Sequence, residues 1–546
     1  MAKESVGVMI DRGGLVPLFV CAAAFLPMCA VASNTFGPAA ASGVTAAGEL
    51  MTRIQANFDR LEEVEYRPPK FFHPSSHSAG WPGDHEGRTL LGLVSLAKAS
   101  GRTPKHLAEI IREWPSHMNE KGYFGPLGDG NPDEQRLSGH GWSLRGLCEY
   151  HLWSGDKSVL PWIRSIADNV FLSVGDRFKD YPIDPKERPQ DVGGAAGNRL
   201  DRLVRGWRLS TDIGCFMIGV DGLVQAAQVL GDRRYDRVIE AAFARFLEMD
   251  VVAMKAQTHA TLTGLRALLR YDGRRYLKDV RRIWDLYRRY GMTDYFGNYN
   301  WFARYATWCE PCAIVDSHLV ALQLWDLTGD PAYLEDAERI YWNAICREQH
   351  RNGGFGLDNT PGLAAKTNDL AVVCGEAYWC CTMRGAEGLF SAADYAVRAK
   401  DDAIVFAEYH ACTATRKISS GTVSLAVETD YPFDGHVRVK IEAAPASPVA
   451  LRFFVPSYAK TSLAVTNGFA EVKRVFRPRE TVELTLSLAR YDLPPQCPDN
   501  APAAVRRHMR GPLLLGTDAA GVERPIYHLL DPSIWESGSG RLTILR

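Results

Sequence analysis

From about residue 45 to residue 400 apolar side chains recur at intervals of three and four, as in Leu90, Leu91, Leu93, Val94, Leu96 and Ala97. That spacing lays one face of a helix against a core. The helical text is cut by a recurring short turn: Ser100-Gly101-Arg102, Ser154-Gly155-Asp156, Leu230-Gly231-Asp232, Asp272-Gly273-Arg274 and Thr328-Gly329-Asp330. Each reads as a helix ending on glycine with the next beginning within a few residues, often at Tyr or Leu, as at Tyr235 and Tyr333. Helix pairs repeating every roughly 40 to 75 residues predict a helical solenoid or a closed helical toroid. A closed ring of pairs leaves a central funnel, and loops at one rim can build a site there.

Beyond residue 402 the period changes to two, in Ala403 to Tyr409, Val423 to Glu428, His436 to Ile441, Ala450 to Val455 and Thr481 to Leu486. Asp434-Gly435 and Asn467-Gly468 supply turns, and Pro432, Pro445 and Pro456 mark breaks. The pattern predicts an α+β chain of more than one domain, with a helical domain over 45–400 and a β-sandwich over 402–546. The stretch Pro494 to Pro502 reads as a loop and His508 to Thr517 as one further strand.

The 546 residues suffice for more than one core. Sixty-three Lys and Arg nearly cancel sixty-four Asp and Glu, so no net field favours nucleic acid or an anionic membrane surface. The basic run Arg270 to Arg289 is interrupted at helical spacing by Trp284, Leu286 and Tyr287 and reads as a solvated helix face. At the N-terminus Lys3 and Arg12 precede the apolar run Leu15 to Met28 and the small-x-small triplet Ala30-Val31-Ala32. Residues 1–32 therefore read as a signal peptide, with an exported protein, periplasmic or extracellular, as the consequence. The apolar run is short for a membrane span, and no stable membrane partner is expected.

Twelve cysteines are present, two of them, Cys21 and Cys29, in the leader. Five of the others fall in two clusters, Cys309 with Cys312 and Cys374 with Cys380 and Cys381, an uneven spacing that points to metal more than to a disulfide framework. The first cluster is Trp308-Cys309-Glu310-Pro311-Cys312, opening a helix from Ala313 to Leu327. The second is Glu376-Ala377-Tyr378-Trp379-Cys380-Cys381-Thr382-Met383-Arg384. Thiolates and a carboxylate from two short segments complete a tetrahedral zinc shell. By chemistry alone, buried free thiols or a disulfide stay open, and Cys309 competes with Glu310 because Cys309 and Cys312 form the commoner C-x-x-C ligand pair.

The E-x-C element at a helix start, followed by Leu327-Thr328-Gly329-Asp330-Pro331-Ala332-Tyr333 and Ala337-Glu338-Arg339-Ile340-Tyr341-Trp342-Asn343, resembles the bacterial β-L-arabinofuranosidases of glycoside hydrolase family 127 and their relatives. The Cys-Cys pair, Glu428-Thr429-Asp430-Tyr431-Pro432 with Asp434-Gly435, and Arg510-Gly511-Pro512-Leu513 are similar as well. The resemblance implies an (α/α)6 helical barrel followed by β-sandwich material, and a retaining hydrolase acting on a furanosidic linkage in an oligosaccharide or glycan. It implies Glu310, Cys312, Cys380 and Cys381 as zinc ligands and Cys380 as a nucleophile that forms a glycosyl thioether. The family's acid and base, a glutamate in an E-x-F element, has its counterpart in Asp294-Tyr295-Phe296, sixteen positions before Glu310. Asp294 is thus the expected proton carrier, one methylene shorter than Glu, with Glu376 as the alternative. Tyr378 and Thr382-Met383-Arg384 depart from the family pattern around the pair.

His85, His140 and His259 recur near helix starts, which converge on one rim in a ring of pairs; His140 and His259 also resemble the family's substrate contacts. All three are expected to meet sugar hydroxyls. Tyr295 to Trp308 reads as a wall of the sugar site or as aromatic core. Asp212 and Arg384 are further polar candidates in apolar text. Two other readings stand beside hydrolysis: a carbohydrate-binding or structural zinc protein without turnover, and another helical-barrel sugar enzyme such as a lyase or epimerase.

Overall fold

The computed structural model describes residues 43–72, 80–188, 197–305, 307–356, 358–359, 369–370, 376–496, 506–517, 520–526 and 542–544. These belong to one compact unit. The expected leader, residues 1–32, lies outside the described residues, as does most of the Pro494 to Pro502 stretch. Among the described residues no helix is long and apolar enough to cross a membrane.

The helices come in pairs of one outer, amphipathic member and one inner member buried almost all round. Helix α1 (Gly48–Leu61) precedes α2 (Asp84–Ser100), and α3 (Leu107–Glu113) precedes α4 (Glu134–Ser154). Next, α5 (Leu160–Ile166) precedes α6 (Phe216–Leu230), and α7 (Asp236–Glu248) precedes the long α8 (Thr258–Tyr290). Then follow α9 (Pro311–Thr328), α10 (Ala332–Ile340), the single turn α11 (Cys346–Glu348) and α12 (Cys381–Ala396). The inner helices pack in a closed cycle: α2 on α4, α4 on α6, α6 on α8, α8 on α9, α9 on α12, and α12 back on α2. Outer helices show why they stay outside; α7 buries only Val238, Ile239, Ala242, Phe243 and Phe246, a stripe at helical spacing.

The predicted glycine stops hold at Gly101, Gly155, Gly231 and Gly329, each in the left-handed conformation that closes a helix. At Asp272-Gly273 the chain does otherwise. It kinks at Asp272 (φ −157°, ψ 81°) and continues as helix to Tyr290, so one long element serves first as inner and then as outer member. The basic run lies on this second half and buries Tyr276, Val280, Ile283, Trp284 and Tyr287. Arg270 is not part of a solvated face, because it is buried against Asp221 at 3.0 Å. Three inner helices approach backbone to backbone: a Cβ on Gly87 would meet the Trp142 carbonyl carbon at 2.1 Å, and one on Gly222 the Gly141 carbonyl oxygen at 2.2 Å.

The axis of the ring is filled by charge. Arg145 bonds Asp221 (2.5 Å) and Glu387 (3.0 Å); Arg266 bonds Asp316 (2.5 Å) and Glu387 (2.7 Å); Arg384 bonds Asp316 (2.6 Å). These residues come from α4, α6, α8, α9 and α12, and all are buried. Ions taken out of water need such mutual pairing, since removal of one partner leaves an uncompensated charge.

After α12 the chain is sheet. One five-stranded antiparallel sheet runs Val44–Ala46, Cys412–Ile418, Gly421–Thr429, His436–Ala443, Thr481–Thr485, so the strand before α1 is part of it. A second runs Val465–Thr466, Phe469–Arg474, Val449–Phe454, Ala403–Phe406, Arg398–Lys400. Alternating burial along Cys412–Ile418 and Gly421–Thr429 confirms one face in the core. Asn467 and Gly468, both at positive φ, make the turn before Phe469–Arg474. The stretch His508 to Thr517 is not one strand. It is a hairpin of Arg507–Arg510 and Leu513–Thr517, broken where Gly511 turns at φ 56° before Pro512, which has no N–H to donate. Asn343, just after α10, clasps this hairpin by donating to Pro512 O and accepting from Leu514 N, both at 2.8 Å. Buried Glu338 of α10 likewise accepts from Tyr431 and Tyr458.

Candidate metal centre and active site

Glu310 is the residue before the first turn of α9, with extended backbone (φ −122°, ψ 116°), and Pro311 fits the first helical position, where no N–H is needed. Cys312 follows in the first turn. Asn298 fixes this entry: its Oδ1 accepts from Glu310 N at 3.1 Å and from Cys309 Sγ at 3.2 Å. Cys309 is therefore turned to Asn298, and the pairing of Cys309 with Cys312 as ligands is not what the fold makes. On the other side, Cys380 is the residue just before α12 and Cys381 begins it; Ala377 O accepts from both backbone amides, at 3.2 and 3.0 Å.

The ring brings these two helix starts together. One ligand atom each from Glu310, Cys312, Cys380 and Cys381 lies within 4.8 Å of the others, with Sγ separations of 3.8 Å for Cys312 and Cys381 and 3.3 Å for Cys380 and Cys381. Every described cysteine is free, and these separations are far beyond a sulfur–sulfur bond of about 2.05 Å. Thiolates around tetrahedral zinc at about 2.3 Å stand about 3.8 Å apart. Glu310 Oε2 is buried and, among the described residues, has no hydrogen-bond partner. A buried carboxylate oxygen facing three thiols is a cost without a cation and a ligand with one, so the donor set fits zinc.

Burial, and next to it the Cys312 charge, hold the Glu310 carboxyl well above the usual range, while Arg88 opposes them. Burial likewise pushes the Cys312 thiol up to about 11. Cys380 goes the other way, down to about 6, because Cys312 and then Cys381 hydrogen-bond to its sulfur. It is also the one member of the four that is only partly buried. Arg88 reaches the site from α2, its Nη1 3.4 Å from Cys312 Sγ and its Nε held by Asp84 at 2.6 Å.

The expected sugar contacts divide. His259 Nδ1 lies 2.7 Å from Asp316 Oδ2. Burial alone would raise Asp316, but Arg384 and Arg266 hold it well below the usual range, so it is an anion and the proton sits on His259 Nδ1. His259 Nε2, among the described residues, meets no partner. The ring stacks on Trp142, 5.9 Å between centroids, and Arg88 and Arg384 lie 4.3 and 4.5 Å from the Trp142 ring. His140 differs: Nδ1 bonds Arg136 O at 2.8 Å and Nε2 accepts from Phe124 N at 3.1 Å. Both its positions are used by backbone, which leaves none for a sugar hydroxyl. His85 sits in an aromatic nest, stacked on Tyr66 (5.8 Å) with Phe71 edge-on, and burial pushes it down to about 4.

Both expected proton carriers are engaged by other groups. Asp294 Oδ1 accepts from Gln496 N at 2.8 Å, and Arg507 lies 3.5 Å from its backbone oxygen, so the residue is tied to the C-terminal sheet. Glu376 accepts from Arg60 Nε (2.9 and 2.8 Å), Thr382 Oγ1 (2.6 Å) and Asn352 (2.8 Å), which makes it the fastening of the segment leading to Cys380. The aromatic segment is largely core: Tyr295, Phe296, Tyr299, Trp301 and Phe302 are buried. Arg88 and Asp316 were not singled out in the sequence; their signal is a charge set inside a run of buried apolar helix positions.

The site is thus a thiol-rich donor set at the rim of a helical ring, with histidine beside it. The sequence profile of the β-L-arabinofuranosidase catalytic domain of glycoside hydrolase family 127 matches residues 87–394, and that of the family's middle domain matches residues 403–488. The chain belongs to this family and is a glycoside hydrolase of the β-L-arabinofuranosidase-like kind. Solved structures share the fold at low identity. A family 127 β-L-arabinofuranosidase from Geobacillus stearothermophilus T6 is 14% identical with TM-score 0.65, over 87% of this chain and 86% of that one. A β-arabinofuranosidase of the same family is 15% identical with TM-score 0.63, over 88% and 85%. A further glycoside hydrolase is 16% identical with TM-score 0.64, over 88% and 83%. No curated protein matches the chain in sequence.

Proposed function

We propose that the chain hydrolyses a β-L-arabinofuranoside-like linkage with retention of configuration, using Cys380 as nucleophile. The observation that carries this reading is the convergence of Glu310, Cys312, Cys380 and Cys381 at the starts of α9 and α12. Zinc held there would keep the sulfurs as thiolates at neutral pH. Cys380 is the sulfur for attack because it alone of the four is partly exposed, and because it stands at a helix start, where the partial positive charge of the backbone amides favours a thiolate. Arg88 adds a fixed positive charge beside the sulfurs. His259 Nε2 accepts from a sugar hydroxyl, its tautomer set by Asp316, and His85 lines the same side of α2. The cycle of inner helices is, on this reading, the inner layer of an (α/α)6 barrel. The leader reading carries over as export to the periplasm or outside.

The test is Cys380→Ala assayed on an aryl β-L-arabinofuranoside together with zinc content. Turnover should fall by at least about 10³-fold while Glu310, Cys312 and Cys381 still bind metal. Wild type that binds zinc but turns over no member of a panel of aryl furanosides and pyranosides would point to a binding or structural role.

A further inference from the structure

We propose that Trp142 is a positioning residue of this site: one indole holds Arg88 against the Cys312 sulfur and His259 at the funnel. The inference rests on the cysteine-nucleophile reading above and adds to it a residue that acts through two others.

The backbone puts the indole there. Trp142 lies within α4, directly after Gly141. A Cβ on Gly141 would meet the Ile218 carbonyl oxygen of α6 at 2.4 Å, and one on Gly87 of α2 would meet the backbone of Trp142 itself. Helix α4 is thus pressed between α2 and α6 at this level. Arg88, the residue after Gly87, then crosses the indole, its guanidinium carbon 4.3 Å from the ring centroid. Trp142 is fully buried, and with Leu91, Cys215, Ile218 and Ala260 it forms an apolar cluster of its own beside the main core.

Three polar side chains converge on this ring. Arg88 Nη1 donates to Cys312 Sγ at 3.4 Å. The His259 imidazole lies parallel to the indole, with 8° between planes and 5.9 Å between centroids. Arg384 stands 4.5 Å from the indole and donates to Asp316 Oδ1 at 2.6 Å, while Asp316 Oδ2 meets His259 Nδ1 at 2.7 Å. Trp142, His259, Asp316 and Arg384 thereby close a cycle of side chains from α4, α8, α9 and α12, and Arg88 joins it from α2.

A guanidinium is attracted to the negative face of an indole, most strongly where water is excluded. Without that face Arg88 keeps Asp84 on its Nε but loses what directs Nη1 to the sulfur. His259 keeps Asp316 on Nδ1 but loses what fixes its ring plane. The indole N–H is buried and, among the described residues, has no partner, so the position is used for its aromatic face and not for a hydrogen bond. The effect divides between the two partners. Arg88 acts on the thiolates, and so on kcat; His259 acts on a sugar hydroxyl, and so on KM.

The test uses the zinc-loaded full-length enzyme with Trp142→Phe or Trp142→Leu, alone and combined with Arg88→Met or His259→Ala, on an aryl β-L-arabinofuranoside. Trp142→Leu should lower kcat and raise KM by about fivefold each, whereas Trp142→Phe, which keeps an aromatic face, should stay within about twofold of wild type. Combined with Arg88→Met, Trp142→Leu should no longer lower kcat; combined with His259→Ala, it should no longer raise KM. Cobalt(II)-loaded protein gives a readout apart from turnover. Its thiolate-to-metal absorption band should move in Trp142→Leu and in Arg88→Met, move no further in the double variant, and stay in place in Trp142→Phe. Equal losses for Phe and Leu, losses that add in full to those of Arg88→Met and His259→Ala, or a band unmoved by Trp142→Leu would overturn the proposal. Should Trp142→Leu melt early, the cycle between Arg88→Met and His259→Ala takes its place: coupling of at least about threefold is expected, and simple addition of their losses overturns the proposal. Wild type that binds no cobalt, or full activity of Cys380→Ala, would instead overturn the reading beneath, whatever the Trp142 variants do.

Discussion

Two layers of the same ring, one helical turn apart, treat polar residues in opposite ways. On α9, Cys312 belongs to the rim and Asp316 to the axis; on α12, Cys381 belongs to the rim and Arg384 to the axis. In the axis Asp316 is met by Arg266, Arg384, His259 and Thr263, so its charge is spread over four donors. At the rim Glu310 Oε2, Asp212 Oδ1 and His259 Nε2 are buried and, among the described residues, unmet. The difference separates positioning from chemistry. Saturated charges in a dry interior hold side chains in one arrangement, and unsaturated ones beside them wait for a cation or a substrate. His259 joins the layers, with one nitrogen in each.

That comparison can be broken at several points. The largest effect belongs to the rim: Cys380→Ala should remove at least about 10³-fold of activity without lowering the melting temperature of the metal-free protein, and a large drop there would mean the thiol is structural. In the axis, Asp316→Ala should cost about 3–5 kcal/mol of stability, read from urea unfolding, by leaving the buried Arg266 and Arg384 to share Glu387 as their remaining carboxylate. An unchanged midpoint would show that the ladder is not what holds the inner helices. Asp316 and Asp221 are both held below the usual carboxylate range in the fold, by Arg384 with Arg266 and by Arg270 with Arg145, against the effect of burial. Their contribution is therefore complete above about pH 4 and is lost as pH falls below it. Unfolding midpoints at pH 7 and pH 3 should differ less in Asp316→Asn than in wild type. Metal removal should act on the rim alone, so a chelator should abolish turnover and lower the melting temperature, with zinc restoring both. The smallest effects separate two histidines. His259→Ala should raise KM, whereas His140→Ala should cost about 1–3 kcal/mol, by orphaning the Phe124 amide, with KM unaltered. Reversal of that pattern would exchange their roles.

Much of this was legible in the chain. Glycines 101, 155, 231 and 329 stop helices because a left-handed residue closes the last turn, a purely local requirement. Pro311 after Glu310 marked a helix start carrying metal donors, and α9 begins there; that Cys380 and Cys381 also stand at a helix start was not read from the chain. Asp272-Gly273 misled because a kink and a stop share the same local signature, and packing of the second half of α8 decides between them. The His508 to Thr517 stretch misled because its alternation continues across Gly511 and Pro512, where the chain reverses.

The sequence by itself determined the helix pairs, the change to strand period near residue 402, and which residues could bind metal, since each depends on neighbours within about one turn or one strand. Only the tertiary structure decided which of them meet. It turned Cys309 to Asn298 and left Cys312 to the cluster, gave His140 to the backbone and His259 to the funnel, and tied Asp294 to the C-terminal sheet. The reason is that hydrogen-bond partners such as Asn298 for Cys309, Phe124 for His140 and Gln496 for Asp294 come from separate segments. The closing of the ring and the docking of the sheets choose those partners, and no local pattern records the choice.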